Sequence, residues 1–133
     1  MLSTGVDLIQ IARIEKAITR FGQRFLDRIY TPEEVRYSRR RASELAVRFA
    51  AKEAVSKALG VGMRVLSPHG IDWLDVEVLN EPGGKPFVIL HNHAKHLAEK
   101  LGLEEWSISL SHDGGIAIAF VVASQSYPVP EGN

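Results

Sequence analysis

Apolar and polar positions divide the chain into two halves of different period. A short apolar run at the N-terminus predicts a strand over residues 2–8. Ile11, Ile14, Ile18, Phe21 and Phe25 then recur at helical spacing, with Gly22 as a point of interruption. Thr31-Pro32-Glu33-Glu34 is a helix start: Thr31 can cap, Pro32 suits the first turn, and Glu34 completes a capping box. Ser43 is placed to cap the next helix, which Gly60 ends after Leu59. Its many alanines predict close packing against a neighbour.

The second half reads mainly as strands. One is expected over residues 71–79, a turn at Pro82-Gly83-Gly84, and a returning strand over 87–90. A helix is expected over 92–101, stopped by Gly102. Residues 106–111 alternate, with Ile108 and Leu110 on one side and Ser107, Ser109 and Ser111 on the other. His112-Asp113-Gly114-Gly115 turns the chain into 116–123, apolar almost throughout and expected to be buried on both faces, within this domain or between subunits. Helices early and strands late predict an α+β fold with an antiparallel sheet.

Composition narrows the function. At 133 residues the chain is one domain. Lys+Arg and Asp+Glu number 16 each, so no net field attracts a polyanion. Arg39-Arg40-Arg41 lacks an accompanying aromatic platform, and nucleic-acid binding is not expected. Cysteine is absent, which excludes disulfide and thiolate chemistry. No apolar run reaches membrane-spanning length and no secretory signal is seen, so a cytoplasmic protein is expected.

Two acidic residues stand apart. Asp7 lies inside Gly5-Val6-Asp7-Leu8-Ile9, although Asp is a poor strand former. Glu53 lies in an Ala-rich helix, with Phe49 and Ala50 one turn before it and Ser56 and Lys57 one turn after. Taken singly, Asp7 is explained as a cap and Glu53 as a surface partner of Lys57. Taken together, two carboxylates in apolar settings beside lysines suit a hard divalent cation such as Mg²⁺. His91, His93 and His96 have no Cys or acidic ligand close by and fit a surface helix better than a zinc site. Arg13, Lys16, Arg20 and Arg24 repeat at helical spacing beside the apolar stripe, with Glu15 the lone acid from Ile11 to Leu26. Such a stripe suits docking of an acidic amphipathic helix.

Gly5-Val6-Asp7, Arg13, Arg48-Phe49-Ala50-Ala51-Lys52-Glu53-Ala54 with Lys57, Gly84-Lys85-Pro86 and Ser109-Leu110-Ser111-His112-Asp113 together resemble the signature of the holo-acyl-carrier-protein synthases. These form the trimeric branch of the 4′-phosphopantetheinyl transferases. The resemblance runs from about Thr4 to about Ala123, which defines a domain over 1–123 and a tail over 124–133. It implies transfer of the 4′-phosphopantetheine arm of coenzyme A to a serine of acyl carrier protein, in service of fatty-acid biosynthesis. It implies Mg²⁺ on Asp7 and Glu53, with Lys57 completing the catalytic group. Either Glu53 or a metal-bound water can take the serine proton. Arg48, Phe49, Ser56, Lys57, Lys85, Pro86, Ser111 and His112 are implied to contact coenzyme A, although Phe49 by itself reads as core. Arg13, Arg20, Arg24, Phe21 and Phe25 are assigned to the carrier, and a homotrimer with sites between subunits is implied. A non-catalytic coenzyme A- or nucleotide-binding subunit would share the basic features but has no need of both Asp7 and Glu53.

Overall fold

The computed structural model describes residues 1–125. The expected tail over 124–133 lies outside them except for Ser124 and Gln125, which continue the last strand. Strand β1 (Leu2–Gln10) leads into helices α1 (Ile11–Phe21) and α2 (Gln23–Ile29). Gly22, at φ 58°, separates the two. Helix α3 spans Pro32–Ser38, and the expected capping box is present: Thr31 Oγ1 accepts from Glu34 N, and the Glu34 carboxylate accepts from Thr31 N.

Helix α4 (Ala42–Ala58) is the central element, buried on most of its circumference. Ser43 does not cap it. The cap lies two residues earlier, at Arg41, because Arg39 and Arg40 both adopt left-handed backbone and turn the chain sharply. A 3₁₀ turn (Trp73–Asp75) precedes β2 (Val76–Asn80), which pairs with β3 (Pro86–Leu90). The expected strand over 71–79 is therefore shorter and shifted. Asp72 and Asp75 cap one another reciprocally, and that local bonding wins over extension. Helix α5 (Asn92–Leu101) ends at left-handed Gly102 as expected.

Strands β4 (Leu103–Asp113) and β5 (Ile116–Gln125) form a hairpin, and β1 adds to its far side, giving an antiparallel sheet in the order β1-β5-β4. Helix α4 covers one face. Gly5, Ile9, Ala117, Ala119, Val121 and Ala123 are buried there. The other face is open in the single chain: Val6, Leu8 and Ile116 are exposed, and Phe120 is 43% exposed. The expectation of two buried faces for β5 thus holds for one face only within this chain. Small residues let helix and sheet meet closely. A Cβ on Gly5 would stand 1.9 Å from the Ala54 carbonyl oxygen. Across the helix, Lys52 Nζ donates to Glu34 Oε1 at 2.9 Å, and neither side chain is exposed. The same ammonium caps the Trp73 and Val76 carbonyls, while Glu34 Oε2 accepts from Val78 N at 3.0 Å. Each charge of the buried pair is therefore hydrogen-bonded as burial demands. No helix among the described residues is long and apolar enough to cross a membrane.

Candidate functional site

Asp7 shares the inward face of β1 with Gly5 and Ile9. Because Gly5 lets α4 lie directly on the strand, Glu53 and Lys57, one turn apart on the helix flank, come to the same place. Lys57 Nζ donates to Asp7 Oδ1 at 3.0 Å and to the Val6 carbonyl at 3.0 Å. Asp7 is only 13% exposed, whereas Lys57 reaches solvent. The Glu53 carboxyl is pushed above its ordinary range, first by burial and then by the negative charge of Asp7. Lys57 and Arg13 pull the other way without cancelling the shift. The three residues that the sequence singled out for catalysis thus form one group, and the basic stripe of α1 begins beside it.

A second group lies at the free edge of β4. There a cavity of about 590 Å³ opens between the end of β4, the β2–β3 turn and the start of α4. Ser111 and His112 come from β4, and Lys85 and Pro86 from the turn. The turn is fixed by Asn80 Nδ2 donating to the Gly84 carbonyl at 2.8 Å and by Gly84 at φ 98°. Four expected ligand residues therefore meet in one cavity. Asp7, Glu53 and Lys57 do not line it.

Three other expected ligand residues have partners within the single chain. Arg48 was expected to contact coenzyme A, but it has no exposed surface. Its guanidinium donates to the Val78 and Glu44 carbonyls, the Glu44 carboxylate and Asn80 Oδ1. It acts behind the cavity wall, through Glu44 and Asn80. Phe49 stacks on Trp73 at a centroid distance of 4.5 Å. Ser56 is buried and donates to the Glu53 carbonyl at 2.6 Å. Phe49 is partly buried against Trp73, and the Ser56 hydroxyl bonds within its own helix.

The basic stripe is also less regular than one helix would make it. Arg13, Lys16 and Arg20 lie exposed on α1, but Arg24 follows the Gly22 break and belongs to α2. Phe21 is exposed, with the Arg20 guanidinium 5.2 Å from its ring centroid. Phe25 instead packs edge-on against Tyr30, with centroids 6.0 Å apart. Sequence reasoning missed Tyr37, Glu44 and Asn80 as cavity walls. Asn80, two residues before Pro82-Gly83-Gly84, was the one with a local signal.

A family description, "4′-phosphopantetheinyl transferase superfamily", matches residues 3–121. The holo-[acyl-carrier-protein] synthase of Herpetosiphon aurantiacus is 50% identical over 124 residues, 92% of this chain and 98% of that protein. The synthase of Koribacter versatilis is 46% identical over 92% of this chain and 97% of its own. Among solved structures, the Helicobacter pylori synthase in complex with coenzyme A superposes with a TM-score of 0.80 at 38% identity, covering 91% of this chain and 99% of that one. The Neisseria meningitidis synthase gives 0.79 at 33% identity, over 92% and 98%.

Proposed function

The chain belongs to the 4′-phosphopantetheinyl transferase superfamily, and we propose that it transfers the 4′-phosphopantetheine group of coenzyme A to a serine hydroxyl of apo-acyl carrier protein, releasing adenosine 3′,5′-bisphosphate. The observation that carries the residue roles is the convergence of Asp7, Glu53 and Lys57 where α4 crosses β1.

The donor set fits a hard divalent cation. Two carboxylates sit close enough for one to raise the other's proton affinity, and Lys57 engages only one Asp7 oxygen. Asp7 and Glu53 would hold Mg²⁺, which typically takes one or two carboxylates plus phosphate oxygens and offsets charge on a reacting diphosphate. Lys57 adds a mobile positive charge at the same spot. Either Glu53 or a metal-bound water would receive the serine proton. The serine oxygen then bonds to the phosphorus that bears pantetheine. The bond from that phosphorus to the bridging oxygen breaks, and its electron pair leaves with adenosine 3′,5′-bisphosphate. Such transfers rely mainly on positioning and charge stabilisation.

The cavity at the β4 edge takes the nucleotide end, with Lys85 and His112 at its rim. The carboxylate group and this cavity lie toward opposite edges of the sheet, with β5 between β1 and β4. A head-to-tail contact, β1 side to β4 side, would join the two halves across copies, and three copies would close a ring. The open apolar face around Val6, Leu8 and Phe120 suits that assembly. Arg13, Arg20, Arg24 and Phe21 face the carrier. With no cysteine, the chain suits a reducing compartment, and the reading places it in the cytoplasm.

Incubating the protein with apo-carrier, coenzyme A and Mg²⁺ and weighing the carrier by mass spectrometry tests the reading. The expected result is a phosphopantetheine mass increment that a chelator abolishes. An unmodified carrier would refute the transfer, and an increment indifferent to chelation would refute the metal.

A further inference from the structure

The cavity at the β4 edge has a wall with no role in the transfer as described. Tyr37, in the last turn of α3, lines it and is 43% exposed. Its ring packs over Arg48, whose guanidinium carbon is 4.9 Å from the centroid. Arg48 is buried and fixed by its bonds to Glu44, Val78 and Asn80, so the cation under the ring is a rigid plate. Helix α3 ends one residue after Tyr37, and the next turn is tied by Arg40 N donating to Ser38 Oγ and Arg41 Nε donating to the Ser38 carbonyl. Arg39 and Arg40 both hold left-handed backbone there, at φ 52° and 58°. Non-glycine residues keep that conformation only where surrounding contacts enforce it. The result is a flat ring backed by a fixed cation, on a cavity that also presents Lys85 and His112. Phe49, which the resemblance assigned to coenzyme A, stacks on Trp73.

We propose that Tyr37 is the stacking wall for the purine of the nucleotide that enters this cavity, and that Arg48 is its positioning residue, holding the ring from behind without touching the ligand. The inference rests on the transfer reading, in which the cavity receives the nucleotide half of coenzyme A. A planar base has a face for the ring, and its phosphates have Lys85.

Calorimetric titration of the full chain with adenosine 3′,5′-bisphosphate tests this apart from catalysis. Tyr37→Leu should weaken binding by about tenfold, in line with the loss of one base–aromatic stack. Tyr37→Phe, which keeps the ring, should restore it. In steady-state assays Tyr37→Leu should raise the KM for coenzyme A while leaving kcat and the carrier KM in place. A purely structural residue would move all three. Wild-type protein should also prefer the adenosine bisphosphate to its cytidine counterpart, with the preference reduced in Tyr37→Leu. Undiminished binding by Tyr37→Leu, or no nucleotide binding by the wild type, overturns the proposal. If nucleotide binding depends on Tyr37 but the carrier is never modified, the wall stands and the transfer reading fails.

Discussion

The two halves of the proposed site are built on opposite electrostatic principles. At the β4 edge the charge behind the cavity is satisfied: Arg48 spends its guanidinium on four acceptors, and Glu44 is paired with it. At the β1–α4 crossing the charge is left wanting. Asp7 and Glu53 compete, Lys57 reaches only one of them, and the Glu53 proton affinity rises. A binding surface profits from groups that are fixed and neutralised. A reactive centre needs groups whose partner arrives with the substrate.

Removing the unsatisfied charges should have the largest effect. Asp7→Ala and Glu53→Ala should each lower transfer by about a hundred- to a thousandfold, while calorimetric binding of adenosine 3′,5′-bisphosphate at the other half persists. Loss of nucleotide binding in either variant would merge the two halves into one.

Next comes the contact that builds the crossing. A Cβ at Gly5 would meet backbone, which has little freedom to yield. Gly5→Ala should cost about 3 kcal/mol and lower Tm by about ten degrees. It should also slow transfer in the protein that remains folded. A variant as stable and active as the parent would mean that close approach does not position Glu53.

A mirrored pair divides the substrates. Lys85→Ala should raise the KM for coenzyme A by about tenfold, the value of one charged hydrogen bond, and spare the carrier. Arg13→Ala and Arg20→Ala should each raise the carrier KM by roughly threefold, as exposed charges do, and spare coenzyme A. The salt dependence of the carrier KM should shrink in the double variant. Steady-state kinetics with each substrate varied in turn reads both. A defect of the α1 arginines confined to coenzyme A would move them to the nucleotide half.

The smallest expected effect carries the clearest sign. A Glu whose folded-state pKa is raised lends stability only while protonated, below its unfolded value of about 4.3, and loses it as pH climbs through the folded value. At pH 7 Glu53 is therefore charged where charge is disfavoured. Glu53→Gln should melt slightly higher than the parent at pH 7, and the gain should vanish as pH falls toward 4. Thermal scans across that range measure it. A Gln variant that melts lower at neutral pH would show that Lys57 and Arg13 outweigh burial.

Legibility in the sequence followed the range of the interactions. The α3 start was readable because Thr31, Pro32 and Glu34 make its cap among themselves, and α5 because Gly102 stops it locally. Asp7 and Glu53 stood out because an apolar run and an Ala-rich helix frame them, while their roles and that of Lys57 came from the resemblance. The burial of Arg48 was not legible because two of its acceptors lie 30 and 32 positions away, where no local pattern reports them. Tyr37 was invisible for the same reason: what defines it is the buried cation under its ring. Ser43 failed as a cap because two left-handed arginines moved the helix start, and the Gly22 break put Arg24 on a second helix.

The pairing of β1 with β5 also has a consequence for biosynthesis. Asp7 opposes Ala119, more than a hundred residues later in the chain. The ribosome therefore releases Asp7 well before the strand that pairs with β1. Contacts so distant are slow to close. Until then α4 has no complete sheet to lie on, so the crossing that brings Asp7 and Glu53 together is finished only when β1 and β5 pair.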